Sequence, residues 1–181
     1  MGAMPPPALR TATEDDIADL VELVTSAYRG EASRAGWTTE ADLLDGARID
    51  ALTLRTDMRR PRSRVVVAPD EAGLAACALV ADEGDAAYFG MFAVRPALQR
   101  GGLGSRLLAE CERVAREEWA LQLMRMTVID LREPLIAWYG RRGYRRTGIH
   151  KPFPYGDERF GVPQRDDLRF EVLEKRLDGP A

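Results

Sequence analysis

The feature that most constrains the fold is a glycine-rich turn between an apolar run and a helix, "RPALQRGGLGSRLL" at residues 95–108. A β-prone run, "AAYFGMFAV", precedes the turn, and a second one, "LQLMRMTVI", follows the helix. Strand, turn, helix and strand predict a βαβ crossover, whose two strands are normally parallel. Because glycine costs about 1 kcal/mol relative to alanine inside a helix, three glycines at its start indicate that bare backbone is needed there.

The helix after the turn is amphipathic, since apolar and charged residues alternate with helical periodicity. We therefore predict that it packs on the core. The predicted buried face consists of Leu103, Leu107, Leu108, Cys111, Val114 and Ala115. The predicted polar face consists of Arg106, Glu110, Glu112, Arg113, Arg116 and Glu117.

The front of the chain carries two helix-start signals. Thr13 with Asp16 predicts a capping box that follows a short strand over residues 8–13 and starts a helix to about residue 29. Thr39 with Asp42 repeats the pattern and predicts a second helix to about residue 58.

The rest of the chain alternates strands and one helix. The runs "SRVVVAP", "GLAACALVA" and "AAYFGMFAV" predict three antiparallel strands. After the crossover, "EPLIAWYGRRG" predicts a short helix that Gly143 ends, and "YRRTGI" and "DLRFEVLEKRL" predict the final strands. The fold class is therefore α/β (α+β), a mixed central sheet flanked by helices. At 181 residues we expect one domain over residues 8–181, after a flexible tail over residues 1–7 that contains three prolines.

Composition excludes several classes of function. The net charge is −3 and the arginines are spread among acidic neighbours, so we expect no nucleic-acid partner. No apolar stretch is long enough for a membrane span and no signal peptide is present, so we expect a cytoplasmic protein that does not bind membranes. Cys77 and Cys111 lack metal-ligand spacing, and we expect free thiols and no metal.

A glycine turn between a strand and a helix can bind an anion. The first N–H groups of the helix lie unpaired at the positive end of the helix dipole, and glycine lets an anion approach them. A phosphate is the expected ligand, and a purely structural helix start is the alternative. The turn is not a P-loop, and Gly102-x-Gly104 lacks the third glycine of the dinucleotide-binding fingerprint.

Two motifs together resemble one family. The turn from Gln99 to Gly104 resembles the Gln/Arg-x-x-Gly-x-Gly/Ala pyrophosphate loop of the GNAT superfamily of acyl-CoA-dependent N-acyltransferases. Further along, "LIAWYGRRGY" resembles the family's Ala-x-x-x-Tyr-x-x-x-Gly-Phe segment, with Tyr139 at the tyrosine position and Gly143-Tyr144 at the Gly-aromatic position. The resemblance covers about residues 8–177, although its front half rests on the order of elements alone.

The resemblance implies that acetyl-CoA, the co-substrate, lies in a V-shaped gap between the strand before the turn and the strand after the helix. Its pantetheine arm would pair with strand backbone, and the N–H groups from Arg100 to Ser105 would hold its pyrophosphate, with the Arg100 side chain adding charge. The expected cofactor-binding residues are Phe92, Ala93, Val94, Gln99, Arg100, Gly101, Gly102, Leu103, Gly104 and Ser105.

Acetyl transfer needs a neutral amine, a stabilised oxyanion and a proton for the departing thiolate. The family position makes Tyr139 the expected catalytic acid, and a core tyrosine beside Trp138 is the alternative. A backbone N–H group near Phe92 or Ala93 would stabilise the oxyanion. Where some family members carry a strand glutamate, this chain has Tyr88, so the general base stays open.

The candidates for the base are a water chain and His150, followed by the weaker candidates Glu31, Glu83, Asp85, Asp157 and Glu158. Arg132 stands where many relatives carry an asparagine, seven residues before the tyrosine. It could reach a phosphate, the acceptor or neither.

The loop over residues 150–167 is too long for a hairpin connection and carries three aromatic and three proline residues. We expect either an ordered substrate lid or a homodimer contact. Its aromatics, with Asp157 and Glu158, favour a cationic, partly apolar amine. The predicted function is N-acetylation of a primary amine of a small molecule. The alternatives are a peptide N-terminal acetyltransferase, which should show an open groove rather than a closed pocket, and a non-catalytic acyl-CoA sensor.

Overall fold

The computed structural model describes residues 5–29, 39–45, 49–157 and 161–178. The strands are β1 (Arg10–Thr11), β2 (Leu44–Asp45), β3 (Ser63–Asp70), β4 (Gly73–Asp82), β5 (Ala87–Val94), β6 (Leu123–Ile129), β7 (Arg145–Pro152), β8 (Val162–Pro163) and β9 (Arg169–Arg176). The α-helices are α1 (Ile17–Tyr28), α2 (Ala51–Arg59), α3 (Leu103–Arg113) and α4 (Glu133–Gly140).

Seven strands form one mixed sheet in the order β1-β3-β4-β5-β6-β9-β7. β5 and β6 are parallel, which confirms the predicted crossover, and the other neighbours are antiparallel. α3 and α4 pack on one face, while α1 and α2 pack on the other. This architecture confirms the predicted fold class.

Strand periodicity explains how the sheet serves two cores. In β3, Val66 and Ala68 pack in the cluster that contains α3, whereas Val65 and Val67 pack in the cluster that contains α1. Because successive side chains of a strand point to opposite faces, a strand that is apolar at every position is buried on both sides.

The first predicted helix start is confirmed. The Thr13 backbone N–H donates to Asp16 Oδ2 at 2.8 Å, and the capping box precedes a 3-10 turn that leads into α1. Arg10 of β1 donates to both carboxylate oxygens of Asp16, at 2.8 and 3.0 Å. The cap therefore also joins the edge strand to the helix.

The predicted helix from Thr39 to about residue 58 is wrong. Leu44–Asp45 forms a strand, and α2 begins only at Ala51, with the Asp50 side chain accepting from the Thr53 N–H at 2.8 Å. The Thr39 hydroxyl accepts from the N–H two residues later, at 3.0 Å, which stabilises a turn. Antiparallel pairing of β2 with β8, which is remote in sequence, overrides the local helix signal.

The predicted buried face of α3 is confirmed, and one predicted surface residue is not on the surface. Glu112 is only 9% exposed. It accepts from the Tyr144 hydroxyl at 2.9 Å and from Lys175 Nζ at 2.9 Å. A charged neighbour and a phenol, both remote in sequence, let the carboxylate be buried.

Candidate active site

The parallel strands β5 and β6 pair only at their first residues. Ala87 lies opposite Met124 and Tyr88 lies opposite Arg125, and no pairing continues beyond this point. The strands therefore diverge toward the glycine turn. This is the V-shaped gap that the resemblance implies.

A β-bulge lies on the gap side of β5. Leu79 of β4 is opposite Gly90, but Cys77 is opposite Ala93, so β5 contains one extra residue. Met91 at the bulge has a φ of 49°, in the left-handed region that non-glycine residues rarely adopt. Bulges commonly redirect backbone groups next to functional sites.

Tyr28, the last residue of α1, holds this bulge. Its hydroxyl donates a hydrogen bond to the Phe92 carbonyl. At the end of β5, the Gln99 side chain donates to the Val94 carbonyl at 3.0 Å. Two carbonyls of β5 thus accept from side chains rather than from a neighbouring strand. The sequence gives no signal for the contact of Tyr28.

The glycine turn alternates backbone conformation. Arg100 has a φ of 84° and Gly102 a φ of 82°, and Gly102 is the N-cap of α3. Turns in which left-handed residues occur present several N–H groups to one side and bind anions. The first N–H groups of α3 also have no acceptor within the helix.

The two key glycines serve different needs. A Cβ at Gly102 would meet no atom within 4 Å, so its requirement is the positive φ. A Cβ at Gly104 would lie 2.9 Å from Cζ of Phe92, so its requirement is the close approach of α3 to β5. Access of an anion to both glycines stays a prediction, and the contact with Phe92 gives Gly104 a second requirement.

A cleft of about 410 Å³ opens between the turn, β5 and α4. The expected cofactor-binding residues that line this glycine-turn cleft are Phe92, Ala93, Val94, Gln99, Arg100, Gly102, Gly104 and Ser105. Gly101 and Leu103 are not among its lining residues, and Leu103 is buried in the core. The sequence analysis missed the lining residues Ala27, Tyr28, Leu135, Trp138, Arg141 and Arg142.

A smaller cavity of about 190 Å³ lies on the other side of Phe92. Tyr28, Phe92 and Leu135 line both spaces. These three residues therefore form the wall that the two spaces share, which we call the junction.

Tyr139 lines the inner cavity and not the glycine-turn cleft. Its ring is 4% exposed and makes edge contacts with Trp138 and Tyr144, at centroid distances of 5.2 and 5.8 Å. The hydroxyl of Tyr144 is anchored on Glu112 of α3, so the aromatic cluster fixes the ring of Tyr139. Tyr139 is therefore both packed in the aromatic cluster and part of the wall of the inner cavity.

A buried group of charges also lines the inner cavity. Arg29 Nη2 donates to Glu40 Oε2 at 2.7 Å, and Arg132 Nη1 donates to Glu40 Oε1 at 2.9 Å. The Arg132 guanidinium lies over the Tyr28 ring, 5.0 Å from its centroid. Arg132 lines the inner cavity and not the glycine-turn cleft, and whether it contacts a phosphate, the acceptor or neither stays a prediction.

The base candidates fall into three groups. His150 lies on β7 with Nε2 3.2 Å from Glu171 Oε1, and neither cavity is lined by it. Glu83 and Asp85 are exposed, and the Arg125 guanidinium lowers the pKa of Asp85. Asp157 is half-buried in a turn, and Glu31 and Glu158 lie outside the described residues.

The loop over residues 150–167 is tied to the front of the chain. The Gln164 backbone N–H donates to the Leu43 carbonyl at 2.9 Å, beside the β2–β8 pair. Beneath this ribbon, Leu44, Ile129, Phe153 and Leu168 form a small buried cluster. The ribbon and its cluster form one wall of the inner cavity. Phe160, one of the three aromatics of the loop, lies outside the described residues.

Comparisons with known proteins agree with this geometry. The family model described as the acetyltransferase (GNAT) family matches residues 18–144. The chain therefore belongs to the GNAT family and is an acyltransferase of that type. A comparison with curated protein sequences finds no match.

Solved structures share the fold. The ribosomal-protein-S18-alanine N-acetyltransferase of Escherichia coli is 16% identical, with a TM-score of 0.68 and 96% of each chain covered. The yncA protein of Salmonella typhimurium, solved with its cofactor acetyl-CoA, is 20% identical, with a TM-score of 0.69 over 98% of this chain and 97% of its own. Nourseothricin acetyltransferase is 19% identical, with a TM-score of 0.67 over 96% of this chain and 99% of its own.

Two classes of feature are absent from the described residues. No helix among them has the length and apolar character required to span a membrane. No group of three or more His, Cys, Asp or Glu side chains among them is arranged to hold a metal ion.

Proposed function

We propose that this protein transfers an acetyl group from acetyl-CoA to a primary amine of a small molecule in the cytoplasm. The observation that carries the proposal is the junction of the two spaces at Tyr28, Phe92 and Leu135. A thioester that enters through the glycine-turn cleft would meet there an amine that occupies the inner cavity.

The residues of the cleft fit the phosphates and the pantetheine arm of coenzyme A. Arg100 and Gly102, both left-handed, line the cleft, and turns of this kind present N–H groups that bind anions. The cleft volume of about 410 Å³ falls in the range of cofactor pockets. The strand edge left open beyond Tyr88 supports pairing with an extended amide chain. Bound acetyl-CoA would supply an activated acyl group.

The chain's own residues would orient the reaction and move one proton. The bulge held by Tyr28 fixes the peptide groups of Phe92 beside the junction, where a backbone N–H group would stabilise negative charge on oxygen. As the new C–N bond forms and the C–S bond breaks, the Tyr139 hydroxyl would give its proton to sulfur. The amine's proton would leave through water, because Tyr88 stands where some family members carry the strand glutamate, and the Glu40 carboxylate in the cavity wall is paired with Arg29 and Arg132.

The inner cavity supports a small acceptor. Its volume of about 190 Å³ is below the roughly 300–1,000 Å³ of sites for drug-sized ligands. Leu44 of the β2–β8 ribbon lines this cavity, whereas a peptide-binding enzyme would need an open groove. The neighbours include enzymes named for a ribosomal protein and for an antibiotic, so their names do not select the acceptor.

The test is a screen for thiol release from acetyl-CoA with small primary amines and with peptides as acceptors. We expect turnover with at least one small amine and none with peptides. Turnover with peptides alone would overturn the acceptor class. Tight binding of acetyl-CoA without turnover on any acceptor would instead identify an acyl-CoA sensor.

A further inference from the structure

The arginines of this protein are mostly paired with carboxylates, and the exceptions cluster. Within the described ranges, the arginines that make no ion pair are Arg60, Arg100, Arg106, Arg141 and Arg142. Arg100, Arg141 and Arg142 all line the glycine-turn cleft, and no acidic residue is among the described residues that line it. The cleft therefore concentrates uncompensated positive charge.

Arg142 is held rigidly in this group. Its guanidinium carbon lies 3.5 Å from the centroid of the Trp138 ring. Its Nε donates to Ser105 Oγ at 3.0 Å, and its Nη1 donates to the Trp138 carbonyl at 2.9 Å. Stacking and hydrogen bonds thus fix the Arg142 side chain beside Ser105, a residue of α3 that lines the cleft.

Arg142 has no carboxylate beside it to balance its positive charge. Burial and the adjacent charge of Arg141 lower the pKa of Arg142. A partly desolvated cation beside a second cation destabilises the unliganded protein, and a bound phosphate dianion would offset both effects. Most of the described arginines outside the cleft have a carboxylate partner, and Arg60 and Arg106 instead donate to backbone carbonyls.

We propose that Arg141 and Arg142 form a second phosphate subsite, which binds the 3′-phosphate of coenzyme A beside the pyrophosphate at the glycine turn. The inference rests on the proposed use of acetyl-CoA. The pyrophosphate and the 3′-phosphate together carry about four negative charges near neutral pH, more than one helix terminus and Arg100 would neutralise. The subsite would select coenzyme A thioesters over thioesters of phosphopantetheine carriers, which lack the 3′-phosphate.

The test compares the affinities of coenzyme A and dephospho-coenzyme A, which differ only in the 3′-phosphate. The proteins are the wild type, the double variant Arg141→Gln/Arg142→Gln, the single variant Arg141→Gln and the control Arg106→Gln. Arg106 also lacks a carboxylate partner but contacts the Pro7 carbonyl and does not line the cleft. Arg141 is exposed, so its substitution keeps the test valid if the double variant is unstable.

We expect the wild type to prefer coenzyme A by roughly ten- to a hundredfold, the gain typical of charged hydrogen bonds. In the double variant this preference should disappear through a loss for coenzyme A alone, in Arg141→Gln it should decrease, and in Arg106→Gln it should be unchanged. Equal preference in all proteins, or equal losses for both ligands, would overturn the inference and leave the proposed function intact. Failure of the wild type to bind either ligand would overturn the proposed function.

Discussion

At the scale of single residues, Tyr139 is the side chain on which the proposed chemistry depends. The family resemblance located it in the sequence, and the structure shows it in the inner cavity wall with its ring fixed by aromatic neighbours. Its role as a proton donor stays a prediction, because a buried tyrosine in an aromatic cluster has the same surroundings in a structural role.

Replacing Tyr139 by phenylalanine removes the proton donor and keeps the ring. We expect turnover to fall by about 10²- to 10⁴-fold, the usual contribution of positioned acid catalysis, with unchanged affinity for coenzyme A. Steady-state thiol release and calorimetry give the two quantities. The matched control is Tyr144→Phe, which loses the bond to Glu112 and should reduce stability but not turnover. Equal turnover in Tyr139→Phe and wild type would assign Tyr139 a structural role.

Tyr28 illustrates a residue whose importance the sequence could not indicate. It is the last apolar position of an amphipathic helix, and only the packing of α1 against the bulged strand brings its hydroxyl to the Phe92 carbonyl. The same limit applies to Trp138 and Arg142, which become neighbours of Ser105 only in the folded chain.

The variant Tyr28→Phe should leave the Phe92 carbonyl without its donor. Unpaired buried carbonyls cost about 1–3 kcal/mol, so we expect a decrease of this size in the free energy of unfolding. Because Phe92 lies at the junction, turnover should fall as well. Urea unfolding and thiol release measure the two effects. A variant as stable and as active as the wild type would show that the bulge does not depend on Tyr28.

At the scale of elements, local signals succeeded where the partners are close in sequence. The capping box of Thr13, the β3–β4 hairpin and the amphipathic α3 are all encoded within short windows. The predicted helix from Thr39 failed because β8, more than a hundred residues away, pairs with Leu44–Asp45. The extra residue in β5 depends on its register with β4 and has no local signal.

The capping box of α1 predicts a stability that depends on pH. The hydrogen bonds from Arg10 lower the pKa of Asp16, so its contribution is present above the unfolded value of about 3.9 and is lost as the pH falls through the folded value. At pH 7, Asp16→Asn should lose about 1 kcal/mol of unfolding free energy. The exposed neighbour Asp15, replaced by asparagine, is the control. Denaturant titrations should show that the difference in unfolding free energy between the wild type and Asp16→Asn decreases below about pH 4. A difference that stays constant down to about pH 2 would contradict this role of Asp16.

The approach of α3 to β5 predicts the effect of a single methyl group at Gly104. In Gly104→Ala the added Cβ would meet the Phe92 ring at 2.9 Å, so the ring must shift. Overpacking of this kind costs about 1–3 kcal/mol, and the shift would also reduce the affinity for acetyl-CoA. In Gly101→Ala the new atom would lie 3.4 Å from the nearest carbonyl, an ordinary contact, so this variant should retain stability. Thermal unfolding compares the stabilities of Gly104→Ala and Gly101→Ala. Equal stability of the two variants would show that α3 does not approach β5 closely at Gly104.

At the scale of the whole molecule, the order of elements and the two family motifs together predicted the fold class, because a βαβ crossover beside an antiparallel meander allows few arrangements. Two features could not be predicted: the position of β9 between β6 and β7, and the pairing of β2 with β8 in the loop over residues 150–167. Both depend on pairing between segments that are separated in the chain. The junction of cleft and inner cavity arises from this long-range arrangement.

The most direct measurement of the central claim is a calorimetric titration of acetyl-CoA into the wild type, Gly102→Val and Gly84→Val. Both glycines have a positive φ, at 82° and 94°, and an added Cβ at either would meet no atom within 4 Å, but Gly84 lies in the turn between β4 and β5 and does not line the cleft. Strain from valine should therefore lower stability in both, and only Gly102→Val should also lose affinity for acetyl-CoA. If folded Gly102→Val binds acetyl-CoA as tightly as Gly84→Val and the wild type do, the glycine turn is not the binding site.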